Sequence, residues 1–238
     1  MSAKEKIENI EVNPSPNVCC HLCGGDINGL NDLFRGSVVE GEFKAFRNKG
    51  PKARQWQLLA PFKGQNLSDK RSLDIGCGIG GLSWQLASQG AKAMLVDVSK
   101  SYLEKAQQLF HQHQLKGEFI LGDFVTLEQG ENLKADIVLL DRVVCCYPEG
   151  PKLLEKAALA SQDWLIFSYP SRRGFIATLL NAGRFCLNGA MKLFAKEYRF
   201  FLHPAEALYR AAGAHQHQLI QEKPLGIWTV AFFRLAHD

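Results

Sequence analysis

The sequence predicts an α/β fold in which helices cover both faces of a mostly parallel sheet. Three observations support this prediction: apolar strand-like runs alternate with helical segments, a glycine-rich turn follows the first run, and acidic residues follow later ones. Alternation of this kind is typical of βαβ units, whose parallel strands are buried on both faces. Open sheets of this class bind ligands beyond the carboxyl ends of their strands, so the functional residues are expected there.

The glycine-rich turn lies in the segment Arg71-Ser-Leu-Asp-Ile-Gly-Cys-Gly-Ile-Gly-Gly81. Residues 71–75 predict a buried strand, and residues 80–89 predict a helix. The glycines between them allow a tight bend and a close approach of a ligand to the backbone, because no Cβ stands in the way. Three of these glycines also satisfy the dinucleotide-binding pattern, so the turn predicts a nucleotide-like cofactor without identifying it.

The other elements follow in regular order. Strands are predicted at 92–97, 118–122, 136–140 and 164–169, with helices at 99–114, near 125–133, at 149–161 and between Pro204 and Gly213. Ser99 is placed to cap the helix that follows it. A turn at 222–226 and the β-branched and aromatic run 227–235 predict a C-terminal hairpin.

Acidic residues end or follow three of these strands. Asp97, Asp123 and Asp141 each come directly after a predicted strand or at its last position. Because the carboxyl ends of parallel strands meet at one edge, these carboxylates should line one crevice. Asp97 is suited to accept hydrogen bonds from both hydroxyls of a ribose, in either a dinucleotide or another adenosine cofactor.

Taken together, these pieces resemble the class I S-adenosylmethionine-dependent methyltransferases. The resemblance covers residues 67–238 and implies a Rossmann-like, doubly wound sheet of seven mostly parallel strands with a C-terminal antiparallel hairpin. Its motifs are Leu-Asp-Ile-Gly-Cys-Gly-Ile-Gly (73–80), Val-Asp-Val-Ser (96–99), Gly-Asp-Phe (122–124) and Ala-Asp-Ile-Val-Leu-Leu-Asp (135–141). The expected enzyme transfers a methyl group from S-adenosylmethionine to a small acceptor.

The resemblance also implies which residues bind the cofactor. Asp74 and the glycine-rich turn would hold the methionine part, Asp97 the ribose, and Asp123 with the Phe124 backbone the adenine. The full expected set is Asp74, Gly76, Cys77, Gly78, Gly80, Asp97, Val98, Asp123, Phe124 and Asp141. Two alternatives stay open: an NAD-binding Rossmann protein, and a non-catalytic S-adenosylmethionine sensor or scaffold. A dehydrogenase would need a further domain, for which this sequence has no residues left.

A more individual motif is Asp141-Arg-Val-Val-Cys-Cys-Tyr-Pro148. It resembles that of a bacterial methyltransferase subgroup with an N-terminal cysteine cluster, and the layout of residues 171–203 is distantly similar to that of magnesium-protoporphyrin O-methyltransferases. In this fold the loop after the fourth strand faces the transferred methyl group. We therefore expect acceptor contacts from Arg142, Cys145 and Tyr147, and candidate acid–base groups at Asp141, Tyr147 and His203. Packing is the expected role of the Cys145 and Cys146 thiols, and His203 could equally order its turn.

Two segments that are both basic and apolar, residues 31–63 and 171–203, lie outside the regular alternation. Residues 1–66 are expected to form a cysteine-containing segment followed by a helical lid, and residues 171–203 a cap inserted into the 67–238 methyltransferase domain. Arg172 and Arg173 would join the acceptor pocket, since a basic and apolar surface suits an anion that is partly apolar. A solvated face is the competing interpretation, and peripheral membrane contact by the cap stays open.

Composition excludes several other classes. The 238-residue chain is 46% hydrophobic with a formal net charge of +4, and its isoelectric point near 8.6 is below that of a strongly basic nucleic-acid-binding domain. The sequence contains no leader-like segment and no apolar run long enough to span a bilayer. We expect a cytoplasmic protein with a small-molecule acceptor, no nucleic-acid partner and seven reduced cysteines.

The segment Cys19-Cys20-His21-Leu22-Cys23 contains half of a zinc-binding pattern. Structural zinc takes four ligands, usually from two Cys-x-x-Cys pairs, and no second pair is present in the sequence. We therefore predict that no metal is bound there. A redox-sensitive thiol cluster and incidental packing against the lid are the remaining interpretations.

Overall fold

The computed structural model describes residues 36–127, 131–171, 183 and 200–236. Six α-helices lie in these residues, and the strands among them form one sheet. The helices are α1 (Ser37–Lys49), α2 (Ala53–Leu58), α3 (Gly81–Ser88), α4 (Lys100–Gln112), α5 (Gly150–Ala160) and α6 (Ala205–Ala212). The strands are β1 (Arg71–Ile75), β2 (Lys92–Asp97), β3 (Gly117–Leu121), β4 (Ala135–Leu140), β5 (Ser161–Pro170), β6 (His217–Leu225) and β7 (Trp228–Leu235).

The sheet has the strand order β3-β2-β1-β4-β5-β7-β6. Strands β1 to β5 pair in parallel, whereas β7 is antiparallel to both β5 and β6. The order reverses between β1 and β4, and a reversal of this kind opens a crevice beyond the carboxyl ends of the strands. The predicted fold class, with its seven strands and its C-terminal antiparallel hairpin, is confirmed.

Both faces of the sheet are buried because successive side chains of a strand point in opposite directions. In β4, Val138 and Leu140 pack in one core cluster with α5 and α6. Ile137 and Leu139 pack in a second cluster with α3. The run 137–140 is therefore continuously apolar, as a parallel strand between two helical layers requires.

The helices form where the sequence offers an apolar stripe and an end signal. Helix α4 buries Tyr102, Leu103, Ala106, Leu109 and Phe110, which recur at helical spacing. It begins after Ser99, whose hydroxyl accepts a hydrogen bond from the Tyr102 amide at 3.4 Å.

Helix α6 lies between Pro204 and Gly213, as predicted. The helix expected near 125–133 differs, because the described residues there include only the short 3-10 turn Glu131–Leu133. Among the described helices, none combines the length and the apolar character needed to cross a bilayer.

Helix α1 packs on α4 above the end of the sheet. Phe43 and Phe46 form an apolar cluster with Leu109 of α4, and the ring of Phe46 meets that of Trp84 edge to face at a centroid distance of 5.8 Å. Aromatic burial thus attaches the N-terminal helix to the sheet domain.

We predict that Phe43→Ala destabilises the protein by about 3–5 kcal/mol, because the substitution removes a 2% exposed ring from this cluster and leaves a cavity. Urea unfolding measures the change in the free energy of unfolding. Val38→Ala on the same helix is the matched control, since Val38 is 46% exposed and its substitution should cost about 0.5 kcal/mol or less. Equal effects of the two substitutions would show that α1 does not depend on this cluster.

Candidate active site

The glycine-rich turn between β1 and α3 forms the floor of the site. Gly76, Gly78 and Gly80 have φ angles of +66°, +55° and +75°, a region that side chains with a Cβ rarely occupy. A Cβ on Gly76 would lie 2.5 Å from Cγ2 of Val143. The amides of Gly76 and Cys77 donate to the carbonyl of Val96 at 2.8 and 3.1 Å, so the turn is tied to β2.

Asp97 fastens the turn from the end of β2. One carboxylate oxygen accepts the Gly78 amide and the other accepts the Ser99 amide, both at 2.8 Å. Burial raises the pKa of this carboxyl to about 6, against the opposing effect of these amide donors. Each oxygen has a second lone pair, which leaves Asp97 able to accept from a ligand hydroxyl.

Asp74 lies in β1 beneath the same turn and is 2% exposed. Its carboxylate accepts a hydrogen bond from the Ser83 hydroxyl at 2.9 Å. Burial raises its pKa to about 7, with a further increase from the charges of Asp141 and Asp97, while the Ser83 hydrogen bond opposes the increase. A cationic group placed here would therefore be stabilised by the local excess of negative charge.

Asp141, at the end of β4, is paired with an arginine from the N-terminal segment. The Arg54 guanidinium donates from Nε and Nη2 to the two carboxylate oxygens at 2.6 and 2.9 Å. The Ser168 hydroxyl donates to the same carboxylate at 2.7 Å. Such a two-pronged arrangement is specific to arginine and fixes α2 against the carboxyl edge of the sheet.

Arg142 follows in a strained conformation with φ of +66°. Its amide donates to the Ser168 hydroxyl at 2.9 Å, which helps to hold this unusual backbone. The guanidinium lies 5.7 Å from the ring centroid of Trp228, and that of Arg54 lies 5.1 Å from the same ring. Two arginines thus contact one indole ring at the start of β7.

Helix α1 reaches this edge through Glu42. The Tyr102 hydroxyl donates to the Glu42 carboxylate at 2.8 Å, and the Arg142 guanidinium lies 3.9 Å from the same carboxylate. Burial and the Glu42 carboxylate raise the pKa of Tyr102, so the phenol stays protonated and donates. Glu42 therefore links α1 to both α4 and the loop after β4.

These groups surround a cavity of about 540 Å³, within the size range of small-molecule sites. Nine of the residues predicted for the site line it, together with Glu42, Arg54, Tyr102 and Trp228 and others that the sequence did not single out for the site. The nine are Asp74, Gly76, Cys77, Gly78, Asp97, Val98, Asp141, Arg142 and Cys145.

Other predicted residues lie beside the described lining rather than in it. Asp123 accepts the Tyr147 hydroxyl and the Val125 amide, both at 3.0 Å, and Phe124 is 2% exposed. His203 Nε2 lies 2.9 Å from the Tyr147 carbonyl oxygen, to which it donates in the matching tautomer. Gly80 is likewise absent from the described lining, which contains Gly81 instead.

Burial lowers the pKa of His203, which favours the neutral ring at physiological pH. A Cβ on Gly150 would lie 2.6 Å from this ring, so His203 packs closely on the start of α5. His203 thus contacts both the loop that contains Tyr147 and the start of α5, and its role as a base stays a prediction.

Several predictions fall outside the described residues. They are the acceptor contacts of Arg172 and Arg173, most of the 171–203 cap with its membrane alternative, and the Cys19, Cys20, His21 and Cys23 cluster. Among the residues that are described, no group of three or more histidines, cysteines and carboxylates could hold a metal ion. The 1–66 and 67–238 division stays a prediction.

Comparison with known proteins now identifies the class. Residues 66–207 match the family model described as a methyltransferase domain, and the chain belongs to this family. The predicted enzyme class is confirmed: the chain is a methyltransferase of the S-adenosylmethionine-dependent type. The NAD-binding alternative loses its support.

Individual relatives agree in sequence and in fold. The ubiquinone biosynthesis O-methyltransferase of Coxiella burnetii is 28% identical over 173 residues, which cover 66% of this chain and 71% of that protein. The crystal structure of magnesium protoporphyrin IX methyltransferase from Synechocystis PCC 6803 with bound S-adenosylhomocysteine has a TM-score of 0.65 at 18% identity. It covers 89% of this chain and all of that one, and shows the same fold.

We predict that Asp74→Asn stabilises the ligand-free protein more at pH 8 than at pH 5. The unfolded carboxyl ionises near pH 4, whereas the folded one keeps its proton up to about pH 7. The folded state therefore binds more protons in this window, and wild type loses stability as the pH rises through it. The asparagine variant lacks this loss and should melt several degrees higher at pH 8.

Asp163→Asn is the matched control for this measurement. Asp163 accepts from the Arg234 guanidinium at 2.8 Å near the surface, so its substitution should not increase stability at pH 8. Melting curves of wild type and of the two variants at both pH values give the differences in melting temperature. If Asp74→Asn changed the melting temperature relative to wild type by the same amount at pH 5 and at pH 8, the raised pKa of Asp74 would be contradicted.

Proposed function

We propose that this chain transfers the methyl group of S-adenosylmethionine to a small acceptor that is anionic and partly apolar, with both molecules bound in the 540 Å³ cavity. One observation supports the proposal most directly. The same cavity is lined by buried carboxylates next to a glycine-rich turn and by Arg142, whose guanidinium lies beside Trp228. The first group suits a cationic adenosine cofactor, and the second suits an anion attached to an apolar body.

The residues at the turn fit this cofactor in shape and charge. At Gly76 the space of a Cβ is filled by Val143, so glycine lets the turn pack on the loop after β4, whereas at Gly78 the nearest atoms to a Cβ would be those of Tyr102 at 3.9 Å. The backbone at Gly78 is therefore open to close contact with a ligand. Ionised Asp74 would compensate the cofactor's ammonium group, and Asp97 would accept from its ribose hydroxyls. When bound, S-adenosylmethionine supplies a methyl group on a positively charged sulfur that is already an activated leaving group.

The chain itself then has to orient the acceptor and exclude water. Helix α1 contributes Glu42 and Phe46 to the lining, and the bond between Glu42 and Tyr102 holds this helix over the turn. A fixed geometry of two bound reactants accounts for much of the rate in reactions that need little chemical assistance. In this proposal α1 is the covering element.

Arg142 is the proposed contact for the anion. Its side chain is 46% exposed and lies at the limit of ion pairing with Glu42, whereas Arg54 is 12% exposed and doubly bonded to Asp141. The guanidinium of Arg142 can therefore turn to a carboxylate without breaking a buried pair. Arg172 and Arg173 remain additional candidates from the sequence.

A carboxylate acceptor would need no base, and each of the candidate bases already contacts another group of the protein. Asp141 is paired with Arg54, Tyr147 donates to Asp123, and His203 contacts the Tyr147 carbonyl. A carboxylate is nucleophilic without loss of a proton, so none of these groups has to act as a base. The bacterial subgroup suggested by the motif after β4 is part of this proposal. The relative from Coxiella burnetii is named an O-methyltransferase, which supports an oxygen atom as the methyl acceptor here.

The cofactor part predicts that Asp97→Ala weakens S-adenosylmethionine binding by about 1.5–3 kcal/mol, because the ribose hydroxyls lose their acceptor. Calorimetric titration gives the dissociation constant, and Asp163→Ala, remote from the cavity lining, should bind like wild type. Unchanged affinity in a folded Asp97→Ala variant would remove Asp97 from the site. Tighter binding of NAD than of S-adenosylmethionine would overturn the proposed cofactor site.

The acceptor part is tested once turnover is found by screening anionic, partly apolar compounds for release of S-adenosylhomocysteine. We expect Arg142→Met to lower kcat/KM by about 10- to 100-fold, the scale of a lost charge-assisted hydrogen bond. Arg142→Lys keeps the positive charge but lacks the planar guanidinium, so its kcat/KM should lie between those of wild type and Arg142→Met. Equal kcat/KM for all three proteins, or preference for uncharged acceptors, would contradict the anionic acceptor.

A further inference from the structure

Two adjacent cysteines line the cavity next to Arg142. Cys145 and Cys146 lie in the 3-10 turn Val144–Cys146 after β4, and both line the cavity. Their Sγ atoms are 3.8 Å apart, and each thiol lies 3.3–3.4 Å from the Arg142 carbonyl oxygen. Cys145 is 2% exposed, while Cys146 is partly exposed. The proposed methyl transfer uses neither thiol.

The geometry disfavours a disulfide between these cysteines. Adjacent Cα atoms lie about 3.8 Å apart, outside the range of about 4.4–6.8 Å usual for disulfides, and a disulfide needs the sulfurs within about 2.05 Å. The turn is also held in place by two hydrogen bonds of 2.8 Å. The Cys146 amide donates to the Val143 carbonyl, and the Phe201 amide donates to the Cys145 carbonyl.

The same spacing suits a single atom that bonds to both sulfurs. Two thiolates on a tetrahedral centre with bonds of about 2.3 Å lie about 3.8 Å apart. A pyramidal trivalent centre has narrower bond angles and holds its two sulfurs somewhat closer, so the observed 3.8 Å separation requires a small rotation of the partly exposed Cys146 side chain. A zinc ion would need further protein ligands, and the described residues contain no group of three or more metal-binding side chains. A centre that already has an organic substituent needs only the two thiols from the protein, so it requires no further protein ligand.

The lining around the thiols suits an apolar substituent. Val143, Phe200 and Trp228 line the same cavity, and aromatic side chains are typical walls for a ring. The pair therefore combines two soft ligands with an apolar space beside them.

We propose that Cys145 and Cys146 form a two-thiol binding site, inside the cavity, for a trivalent thiophilic centre such as an arylarsenical. Binding of an arsonous acid forms two As–S bonds and breaks two As–O bonds. Each thiol proton leaves with one hydroxide as water, and no electrons are transferred, so no oxidant is required. The site shares the cavity proposed for the methyl acceptor, but binding of the probe can be measured without an acceptor.

Phenylarsine oxide is the probe. The parent protein for the experiment is the full chain with Cys19, Cys20, Cys23 and Cys186 replaced by serine, which removes every cysteine outside the described residues and leaves Cys77, Cys145 and Cys146. Native mass spectrometry should show one equivalent bound per chain. The adduct should survive excess monothiol and be removed by a dithiol, because two As–S bonds must be exchanged.

Single variants assign the site. Cys146→Ser should reduce retention about 10-fold or more, since the second As–S bond is intramolecular and is lost. Cys77→Ser, the matched control in the same cavity, should retain the probe like the parent. Equal retention by Cys146→Ser and the parent, or loss only in Cys77→Ser, would overturn the proposal.

Thermal unfolding separates a folded site from mere adjacency in sequence. The unfolded chain still contains neighbouring cysteines, so the probe raises the melting temperature only if the folded geometry binds it more tightly. We expect an increase in the parent and none in Cys146→Ser. A decrease in the parent would refute a preformed site.

If the parent does not fold, the wild-type chain provides the test. Trypsin cleavage after Arg142 and Lys152 yields one peptide, residues 143–152, that contains both thiols. After native labelling and digestion, the bridged phenylarsenic group should be found on this peptide. Label on the other cysteines alone, or rapid formation of a Cys145–Cys146 disulfide with diamide, would contradict the geometric argument.

Discussion

The structure at the carboxyl edge of this sheet depends on how the negative charges of its buried carboxylates are compensated. Asp74, Asp97 and Asp141 lie in or at the ends of β1, β2 and β4, and each is stabilised in a different way. Asp97 accepts two backbone amides, Asp141 is paired with Arg54, and Asp74 receives neutral donors from Ser83. Asp74 has the higher of the two raised carboxyl pKa values, about 7 against about 6 for Asp97. A folded state that keeps such a carboxylate is less stable near neutral pH than it would be without it, and ligand sites are where proteins retain this cost.

The N-terminal segment is part of this compensation rather than an appendage. Arg54 from α2 neutralises Asp141, while Glu42 from α1 accepts from Tyr102 and lies near Arg142. Burial of Phe43 and Phe46 supplies the apolar attachment that brings these charges into place. The covering helix and the charge balance of the edge therefore depend on each other.

The loop after β4 contains one of the three non-glycine residues with a left-handed backbone among the described residues. Arg142 has a left-handed backbone, which costs a non-glycine residue about 1–2 kcal/mol, and the hydrogen bond from its amide to Ser168 helps to offset that cost. Cys145 and Cys146 of the same loop line the cavity, and the Phe201 amide donates to the Cys145 carbonyl. This loop therefore brings Arg142 and the two cysteines to the cavity that the glycine-rich turn also lines.

The sequence by itself determined the fold class, the position of the glycine-rich turn and which strands are followed by acidic residues. Those features depend on local signals: apolar alternation, the conformational freedom of glycine and acids at the ends of strands. Only the tertiary structure decided that Arg54 pairs with Asp141, 87 positions away, and that Trp228 contacts two arginines. It also placed the Tyr147 hydroxyl on Asp123 and the His203 ring on the Tyr147 carbonyl. Polar side chains so far apart in the chain meet because helices and strands pack, and no periodic pattern records which of several basic or aromatic residues will reach a given carboxylate.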